Sequence, residues 1–439
     1  MKDSRLSPGR QLILNVLWFS LNAQSAALLP IVIPAQIVLF ISSTQIGSAQ
    51  QVAFLSWLML AAAAISLFLP PIVGMLSDQT IGGIGRRRPY IAIGGLLLVM
   101  STPLLVDARN MMLFLGGLLL LLVGKNILTP AYQSLMPDCV HVKQRGETAG
   151  YIGGMTILGN VVGLGLAVWL LGSLNAHALN LSMIRVHSGT YYVITAFFVL
   201  VGLLVTVFGV HEIPLLAGRQ ERSQQQRVSQ PLFVHRLLHE LITPWRSSDF
   251  TIVFLARASL MLGLSLFMTY IEYYFARVQH VANFVQVTGT VAALALGGAV
   301  VSGVVFGVLS DRFKRRAPVV CMATLFMCAA SLTFVIFPND LMTLLWPLGV
   351  VFGLGYGSYT SVDWALTIDV LPSVEGAGRD LGIWNASATL PAIAAPLLGN
   401  SVITMAAGAG QIATGYQLVF AIAAFFFLLA AVSVLFVRK

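Results

Sequence analysis

The sequence predicts an all-α membrane protein with twelve transmembrane helices, arranged as two pseudo-symmetric bundles of six. Three observations support this prediction: the composition is strongly apolar, long apolar runs recur along the chain, and one loop motif occurs twice. Apolar residues make up 57% of the 439 residues and charged residues only 9%. A soluble chain carries roughly 25% charged residues, so lipid is the expected solvent for most of the surface.

Twelve apolar runs approach the length of about 20 residues that a spanning helix needs. Those of the first half are 11–40, 52–76, 90–106, 111–136, 149–172 and 191–210, and those of the second half are 251–275, 284–309, 319–337, 341–371, 381–402 and 414–437. The first run exceeds the apolar core of a secretory signal peptide, about 7–15 residues, so we expect it to be retained as a helix. The predicted domains are an N-terminal bundle over 1–210, a connection over 211–249 and a C-terminal bundle over 250–439.

Lysine and arginine are concentrated in alternate loops, which predicts that those loops and both termini face the cytoplasm. The net charge of +9 therefore reflects membrane topology, and no nucleic-acid partner is expected. The partner surface is the lipid bilayer, and the expected location is the inner (plasma) membrane of a bacterium.

The connection 211–249 begins as a Gln- and Arg-rich segment that is typical of a flexible linker. From Pro231 to Trp245, Phe233 and Leu237 recur at helical spacing opposite Arg236. This pattern predicts an interfacial helix along the inner leaflet. The alternative is an ordinary surface helix packed on the bundle.

The repeated motif reads GMLSDQTIGGIGRRRP from Gly74 and GVLSDRFKRRAP from Gly307. In each copy an Asp follows the Gly after four residues, and a basic cluster and a Pro come next. Basic residues alone would fix topology, but the Asp favours a gate latch, in which carboxylate, arginine and a neighbouring helix terminus are hydrogen bonded. The predicted latch residues are Gly74, Asp78, Arg86, Arg87, Arg88, Gly307, Asp311, Arg312, Arg315 and Arg316.

These two motifs resemble those of the major facilitator superfamily, in which they follow helices 2 and 8. Within it, the stretch GIGRRRPYIAIGG resembles the sucrose and glycoside cation symporters. The resemblance implies two bundles that rock about a central cavity lined by helices 1, 4, 7 and 10. No acidic residue precedes Asp78 in helices 1 and 2, which disfavours a sodium site of the melibiose type. Gln133 stands where plant sucrose carriers have an arginine, which disfavours sucrose.

Two ionisable residues lie deep within predicted spans, where charge is costly and usually faces a cavity or a partner. Lys125 lies about 17 Å from the inner end of helix 4, and Asp363 about 12 Å from that of helix 10, at ~1.5 Å per residue. In the resembling fold these helices face each other, so Lys125 and Asp363 are predicted to pair in one state and to separate when substrate or a proton arrives. Burial favours the neutral acid and the ammonium the charged one, which suits proton coupling. The alternative is a static ion pair.

Amide, hydroxyl and aromatic groups on the cavity helices suit a polyhydroxylated solute, because amides bond hydroxyls and rings stack on apolar sugar faces. For any single residue the alternative is an interhelical hydrogen bond or a core aromatic. Arg257, early in helix 7, is expected to extend to the inner headgroups. The predicted substrate-binding residues are Asn15, Trp18, Asn22, Lys125, Asn126, Thr129, Gln133, Tyr270, Tyr274, Tyr356 and Thr360.

The sequence contains no catalytic triad, metal-ligand cluster or phosphate-binding glycine loop at a credible position. An enzyme, a cofactor, a bound metal and coupling to ATP are therefore not expected. The leading hypothesis is a monomeric secondary transporter that works by alternating access, as a proton-coupled symporter of a sugar or glycoside. One alternative is an exporter of another small organic solute. The other is a transporter-fold assembly or delivery factor for a membrane pigment–protein complex.

Overall fold

The computed structural model describes residues 6–33, 36, 48–80, 85–141, 144–171, 181–210, 241–281, 284–313, 316–372 and 376–437. These residues form helices and short connections, with no strand among them. The twelve long helices are α1 Pro8–Ala26, α2 Ser48–Gln79, α3 Arg88–Val106, α4 Met111–Gln133, α5 Arg145–Leu171, α6 Leu181–Gly209, α7 Ser248–Arg277, α8 Phe284–Phe313, α9 Ala317–Ile336, α10 Leu341–Val370, α11 Ala377–Gly408 and α12 Ile412–Val434. Shorter elements are a π-helical turn Leu28–Val32, a helix Leu135–Cys139 and a 3-10 helix Thr243–Arg246.

Eleven of these helices, α2 to α12, contain an apolar stretch long enough to cross a membrane. The exception within the described residues is α1, whose described part has 19 residues. Its mean hydropathy is lowered by buried polar side chains, among them Gln11, Asn15 and Gln24. The predicted twelve-helix, all-α membrane fold is confirmed.

Proline and side-chain caps set where several helices begin. Proline occupies the first turn of α1, α3 and α9, where its missing N–H has no intrahelical acceptor to lose. Asn110 accepts a hydrogen bond from the Leu113 N–H at the start of α4, at 2.8 Å. Ser247 caps α7 in the same way through the Phe250 N–H, at 3.4 Å.

The chain divides into two compact units. Unit 1 comprises Met1–Val142, Met155–Ile242 and Ser373–Ile383, and unit 2 comprises Lys143–Gly154, Thr243–Pro372 and Trp384–Lys439. In unit 1 the main packed pairs are α3–α4, α1–α6, α3–α6 and α2–α4. In unit 2 they are α9–α10, α7–α12, α9–α12 and α8–α10. The same four pairings recur six helices later, as expected for two copies of one packing plan.

The proposed interfacial helix of the connection lies largely outside the described residues. Only its end can be followed, where Leu241 and Ile242 are helical and the 3-10 helix Thr243–Arg246 leads into α7. Trp245 packs edge-to-face on Phe254, with ring centroids 4.7 Å apart. This contact fixes the approach of the chain to α7.

Close backbone packing positions α4, the helix that carries Lys125. Gly94 of α3 and Gly124 of α4 face each other. A Cβ added at Gly94 would lie 2.7 Å from the Gly124 carbonyl oxygen, and one at Gly124 would lie 2.8 Å from the Gly94 carbonyl oxygen. Small residues permit such an approach between transmembrane helices, so any side chain at either position would push α4 away from α3.

Candidate functional site

Lys125 lies midway along the apolar span Met111–Cys139. Its Nζ donates a hydrogen bond to Ser25 Oγ of α1, at 2.8 Å. The lysine and the serine are both half-buried. A basic side chain at this depth is therefore held by a neutral hydroxyl and keeps access to open space.

An aromatic contact joins the same two helices further along. The rings of Trp18 and Tyr132 stack with centroids 5.8 Å apart and planes 8° from parallel. Because Ser25 meets Lys125 and Trp18 meets Tyr132, α1 and α4 run antiparallel. Long side chains bridge them, and they are not among the closely packed helix pairs of this unit.

Several of the predicted substrate residues share this α1–α4 face. Trp18 Nε1 donates to Thr156 Oγ1 of α5 at 2.7 Å, and Asn126 Nδ2 donates to Ser66 Oγ of α2 at 3.2 Å. Polar groups from four helices of unit 1 thus converge around α4. The half-buried members of this cluster, called here the α1–α4 polar face, are Trp18, Asn22, Ser25, Ser66, Lys125, Asn126, Thr129 and Thr156.

Two predicted substrate residues are instead packed in the interior of unit 1. Asn15 is 1% exposed and Gln133 is 6% exposed. The Asn15 amide donates to the Gln11 carbonyl of its own helix, at 2.7 Å. Helical spacing places both residues on the inward side, but the inward side includes the packed core as well as the accessible face.

In unit 2, Asp363 of α10 is held by an arginine and a tyrosine. Arg257 Nη1 of α7 lies 2.8 Å from Asp363 Oδ2, and the Tyr359 hydroxyl donates to Asp363 Oδ1 at 2.7 Å. The Arg257 guanidinium also lies over the Trp384 ring, 4.8 Å from its centroid. Both partners of the ion pair are largely buried, with side-chain exposures of 12% and 9%.

This arrangement corrects one expectation. Arg257 does not extend to the headgroups, because a buried charge is stable when it is paired and hydrogen bonded, and Asp363 supplies that partner. The pairing of Lys125 with Asp363 in one state of the protein stays a prediction. Asp363 is bound by Arg257 and Tyr359, and Lys125 by Ser25.

A small cavity adjoins the Arg257–Asp363 pair. Besides these two residues it is lined by Tyr359 and by apolar side chains of α7, α9, α10 and α12, such as Val253 and Val320. A nearly apolar lining offers few partners for the hydroxyl groups of a sugar. The cavity instead suits the gain and loss of a proton by Asp363.

The predicted aromatic and hydroxyl residues of unit 2 differ in burial and in contacts. Tyr274 is 0% exposed, and its ring packs edge-to-face on Phe334 with centroids 5.3 Å apart. Its faces are therefore occupied by core rings, which corrects its assignment to a substrate site. Tyr270 donates its hydroxyl to the Pro396 carbonyl at 2.9 Å. Tyr356 and Thr360 are half-buried on α10.

The first loop motif joins the end of α2 to the start of α11, and both segments belong to unit 1. Asp78 accepts hydrogen bonds from the backbone N–H groups of Gly378, at 3.1 Å, and Arg379, at 2.8 Å. Such N–H groups at a helix start lack intrahelical partners and favour a negative charge. A Cβ at Gly74 would collide with the Gly378 carbonyl, so only glycine permits this approach.

Arg87 lies at the centre of the motif and is fully buried. It contacts the Asp78 carboxylate at 2.5 Å and Asp138 at 3.0 Å, and Arg86 contacts Asp138 at 2.5 Å. Burial alone would lower the pKa of Arg87, but the carboxylates of Asp78 and Asp138 raise it above the ordinary arginine value. Asp138, which lies outside the repeated motif, was not among the predicted latch residues.

The remaining latch residues are only partly described. Arg88 donates to the Val210 carbonyl and so ties α3 to the end of α6. In the second copy, Arg316 forms an ion pair with Asp369, at 2.6 Å. A Cβ added at Gly307 would make only ordinary van der Waals contact with Ser361. The side chains of Asp311 and Arg312, and all of Arg315, lie outside the described residues.

Comparison with known proteins places this chain in a family. The family model for the Major Facilitator Superfamily matches residues 16–396, and again 289–439. The general alpha-glucoside permease of Schizosaccharomyces pombe is 30% identical over 120 residues, which are 24% of this chain and 22% of the permease. The sucrose transport protein SUC4 of Arabidopsis thaliana is 24% identical over 213 residues, 42% of this chain and 40% of that protein. The matches thus span less than half the length of these relatives.

Solved structures share the fold across nearly the whole chain. The Escherichia coli fucose:proton symporter matches with a TM-score of 0.68 at 15% sequence identity, and 98% of each chain is covered. The proton:xylose symporter XylE matches with a TM-score of 0.66 at 15% identity, over 98% of this chain and 96% of that one. With the family match over most of the sequence, these findings show that the chain belongs to the Major Facilitator Superfamily.

Proposed function

We propose that this protein is a secondary transporter that works by alternating access and couples the entry of a sugar or glycoside to that of a proton. The observation that carries the proposal is Asp363, a largely buried carboxylate inside a spanning helix, held by Arg257 and Tyr359. The similarity to an alpha-glucoside permease, a sucrose transport protein and two sugar:proton symporters supports the substrate class and the coupling ion.

The coupling step follows from the charge of Asp363. While the carboxylate is ionised, it attracts the Arg257 guanidinium and accepts the Tyr359 hydroxyl. A proton that reaches Asp363 through the adjoining cavity removes the charge and with it the attraction for Arg257. The ion pair therefore has two states that differ in charge. Proton binding shifts the equilibrium between these two states.

The solute side of the proposal rests on the α1–α4 polar face. Amide and hydroxyl groups of Asn22, Asn126 and Thr129 can donate to or accept from hydroxyl groups. The face of the Trp18 ring that is not stacked on Tyr132 offers a flat apolar surface for the C–H face of a sugar. All four residues are half-buried, so part of each side chain remains accessible to a bound solute.

Asp363→Asn tests the coupling in proteoliposomes with a radiolabelled solute and an imposed pH gradient. The amide cannot exchange the proton, so uphill accumulation should be lost while exchange of solute across the membrane is retained. Asp107→Asn is the matched control, because Asp107 is an exposed residue paired with Arg109 outside the site. Full uphill accumulation by the Asp363 variant would remove this residue from the coupling role.

We further propose that the Asp78 contacts latch the inner gate in one state. The carboxylate can bind the start of α11 only while that segment lies against the end of α2. Asp78→Asn keeps the shape but loses the charge, and charge-assisted hydrogen bonds are roughly twice as strong as neutral ones. The expected result is a severalfold lower transport rate at an unchanged protein level. A rate equal to that of the unaltered protein would contradict the latch.

Export of another small organic solute is the second candidate. It is supported by the multidrug transporter MdtP of Bacillus subtilis, which is 29% identical over 134 residues, 30% of this chain and 23% of that protein. Vesicles of opposite orientation separate the two functions, because an exporter accumulates its solute in inverted vesicles. Absence of solute movement in either orientation would instead favour the assembly-factor hypothesis.

The chain is an integral membrane protein, and we propose a bacterial plasma membrane with both termini in the cytoplasm. The concentration of lysine and arginine in alternate loops supports this orientation. A fluorescent protein fused to the C-terminus should fold and fluoresce. A C-terminal fusion to a periplasmic phosphatase should be inactive, and an active one would reverse the assigned topology.

A further inference from the structure

Lys125 lies at mid-span, and no carboxylate contacts it among the described residues of unit 1. Every carboxylate among the described residues of this unit contacts an arginine. These four carboxylates make five contacts: Asp78 with Arg87, Asp107 with Arg109, Asp138 with Arg86 and with Arg87, and Asp380 with Arg379. No carboxylate in the described part of unit 1 is thus left to neutralise another cation.

Lys125 has only a neutral partner within that part of the chain. Its Nζ donates to Ser25 Oγ, whereas an ammonium group carries three donors. The residue lies at the middle of its span, where an uncompensated charge is costly and marks a substrate or ion pathway. The side chain is half-buried within the α1–α4 polar face, so a negative charge from outside the protein can reach it.

We propose that the transported solute is anionic, and that its acidic group binds Lys125 beside Ser25. The class is a sugar or glycoside that carries a carboxylate, phosphate or sulfate group. This inference rests on the proposed function and narrows its substrate. The acidic group supplies the counter-charge that Lys125 lacks among the described residues, while the hydroxyl groups meet Asn22, Asn126 and Thr129.

Unit 2 shows how this fold treats a cation that is part of the structure. Arg257 also lies within a spanning helix, and it has the Asp363 carboxylate at 2.8 Å and the Trp384 ring beneath it. A structural role for Lys125 would call for a comparable partner. The hydroxyl of Ser25 does not provide one, because it carries no net charge.

Thermal melting of the purified protein in detergent tests the inference with matched solutes. D-Glucuronate, D-glucose 6-phosphate and D-glucose 6-sulfate are compared with D-glucose at equal ionic strength, and inorganic phosphate serves as the bare anion. A ligand raises the melting temperature by binding the folded state. We expect at least one acidic sugar to raise it by several degrees, with little or no effect of glucose or phosphate.

Lys125→Gln removes the charge and should weaken binding of that acidic sugar about tenfold or more, as expected for a lost charged hydrogen bond. Lys125→Arg keeps the charge and should retain most of the effect. Arg109→Gln is the matched control, because it removes one exposed positive charge far from the site. Without ligand, Lys125→Gln should melt no lower than the unaltered protein, since it removes an uncompensated charge.

Three results would overturn the inference. Equal or stronger stabilisation by glucose would show that the acidic group is not recognised, while leaving the proposed sugar transport intact. An acidic-sugar effect that persists in Lys125→Gln would move the site elsewhere. Stabilisation by inorganic phosphate alone would make Lys125 an adventitious anion site. The proposed function itself fails separately, if proteoliposomes show no solute uptake on a pH gradient.

Discussion

Lys125 and Arg257 are both basic side chains deep within spanning helices, yet their surroundings differ. Arg257 contacts the Asp363 carboxylate, which also accepts a hydrogen bond from Tyr359, and it lies over the Trp384 ring. All of these residues belong to unit 2. Lys125 has one hydroxyl from a neighbouring helix and open space beside it. The protein neutralises the first cation itself, and we propose that a ligand neutralises the second. On this proposal, the first residue belongs to the coupling site and the second to the binding site.

Arg257→Gln should have the largest effect, because it leaves the Asp363 carboxylate buried without a cation. Breaking one side of a buried ion pair costs about 3–5 kcal/mol of stability, so the melting temperature should fall sharply. The double variant Arg257→Gln/Asp363→Asn should recover most of the loss, since neither charge remains. If the double variant melts as low as the single one, the pair is not the cause and the comparison with Lys125 loses its basis.

Tyr359→Phe sharpens the comparison by removing one neutral donor from the enclosed pair. A hydrogen bond to a charged group contributes about 1.5–3 kcal/mol, and the loss should appear as a moderate fall in melting temperature. The same change made in the Asp363→Asn background should cost less, because the acceptor is then uncharged. An equal cost in both backgrounds would assign Tyr359 a packing role.

Ser25→Asp should have the smallest effect on stability and makes unit 1 resemble unit 2. The serine oxygen is 2.8 Å from Lys125 Nζ, so an aspartate there gives the lysine an internal partner. We expect a small change in stability, because the attraction between the new charges is offset by the cost of burying a second charge. We also expect loss of the melting response to acidic sugars. Ser25→Asn, which adds similar bulk without charge, is the control. A retained response would mean that Lys125 does not need a counter-charge.

Composition and repeats predicted most of the fold, because lipid restricts a chain to few solutions. Backbone groups in the membrane must be satisfied internally, so long apolar runs become helices, and a doubled loop motif marks two copies of one packing plan. The kind of contact made by Asp78 was also predictable. Its partners at Gly378 and Arg379 were not, because they lie about 300 residues away in the chain.

The Arg257–Asp363 pair carried a signal that depth counting could have found. Arg257 lies nine residues after Ser248 and Asp363 seven residues before Val370, so at ~1.5 Å per residue both lie about 10–14 Å from the ends of their helices. Equal depth and opposite charge favour pairing. Tyr274 shows the opposite case. Helical periodicity places a residue on the inward side, but it cannot separate a core filled by Phe334 and Phe420 from a cavity.

The contact between Gly74 and Gly378 has a consequence for trapping one conformer. The two backbones are in direct contact there, without room for even a methyl group. The Gly74→Ala side chain should therefore keep α2 and the first turn of α11 apart. We expect it to shift the conformer distribution while every arginine and aspartate stays in place. Spin labels attached to the two helices would report the larger distance between them. Unchanged spin–spin distances would show that this contact accommodates a methyl group.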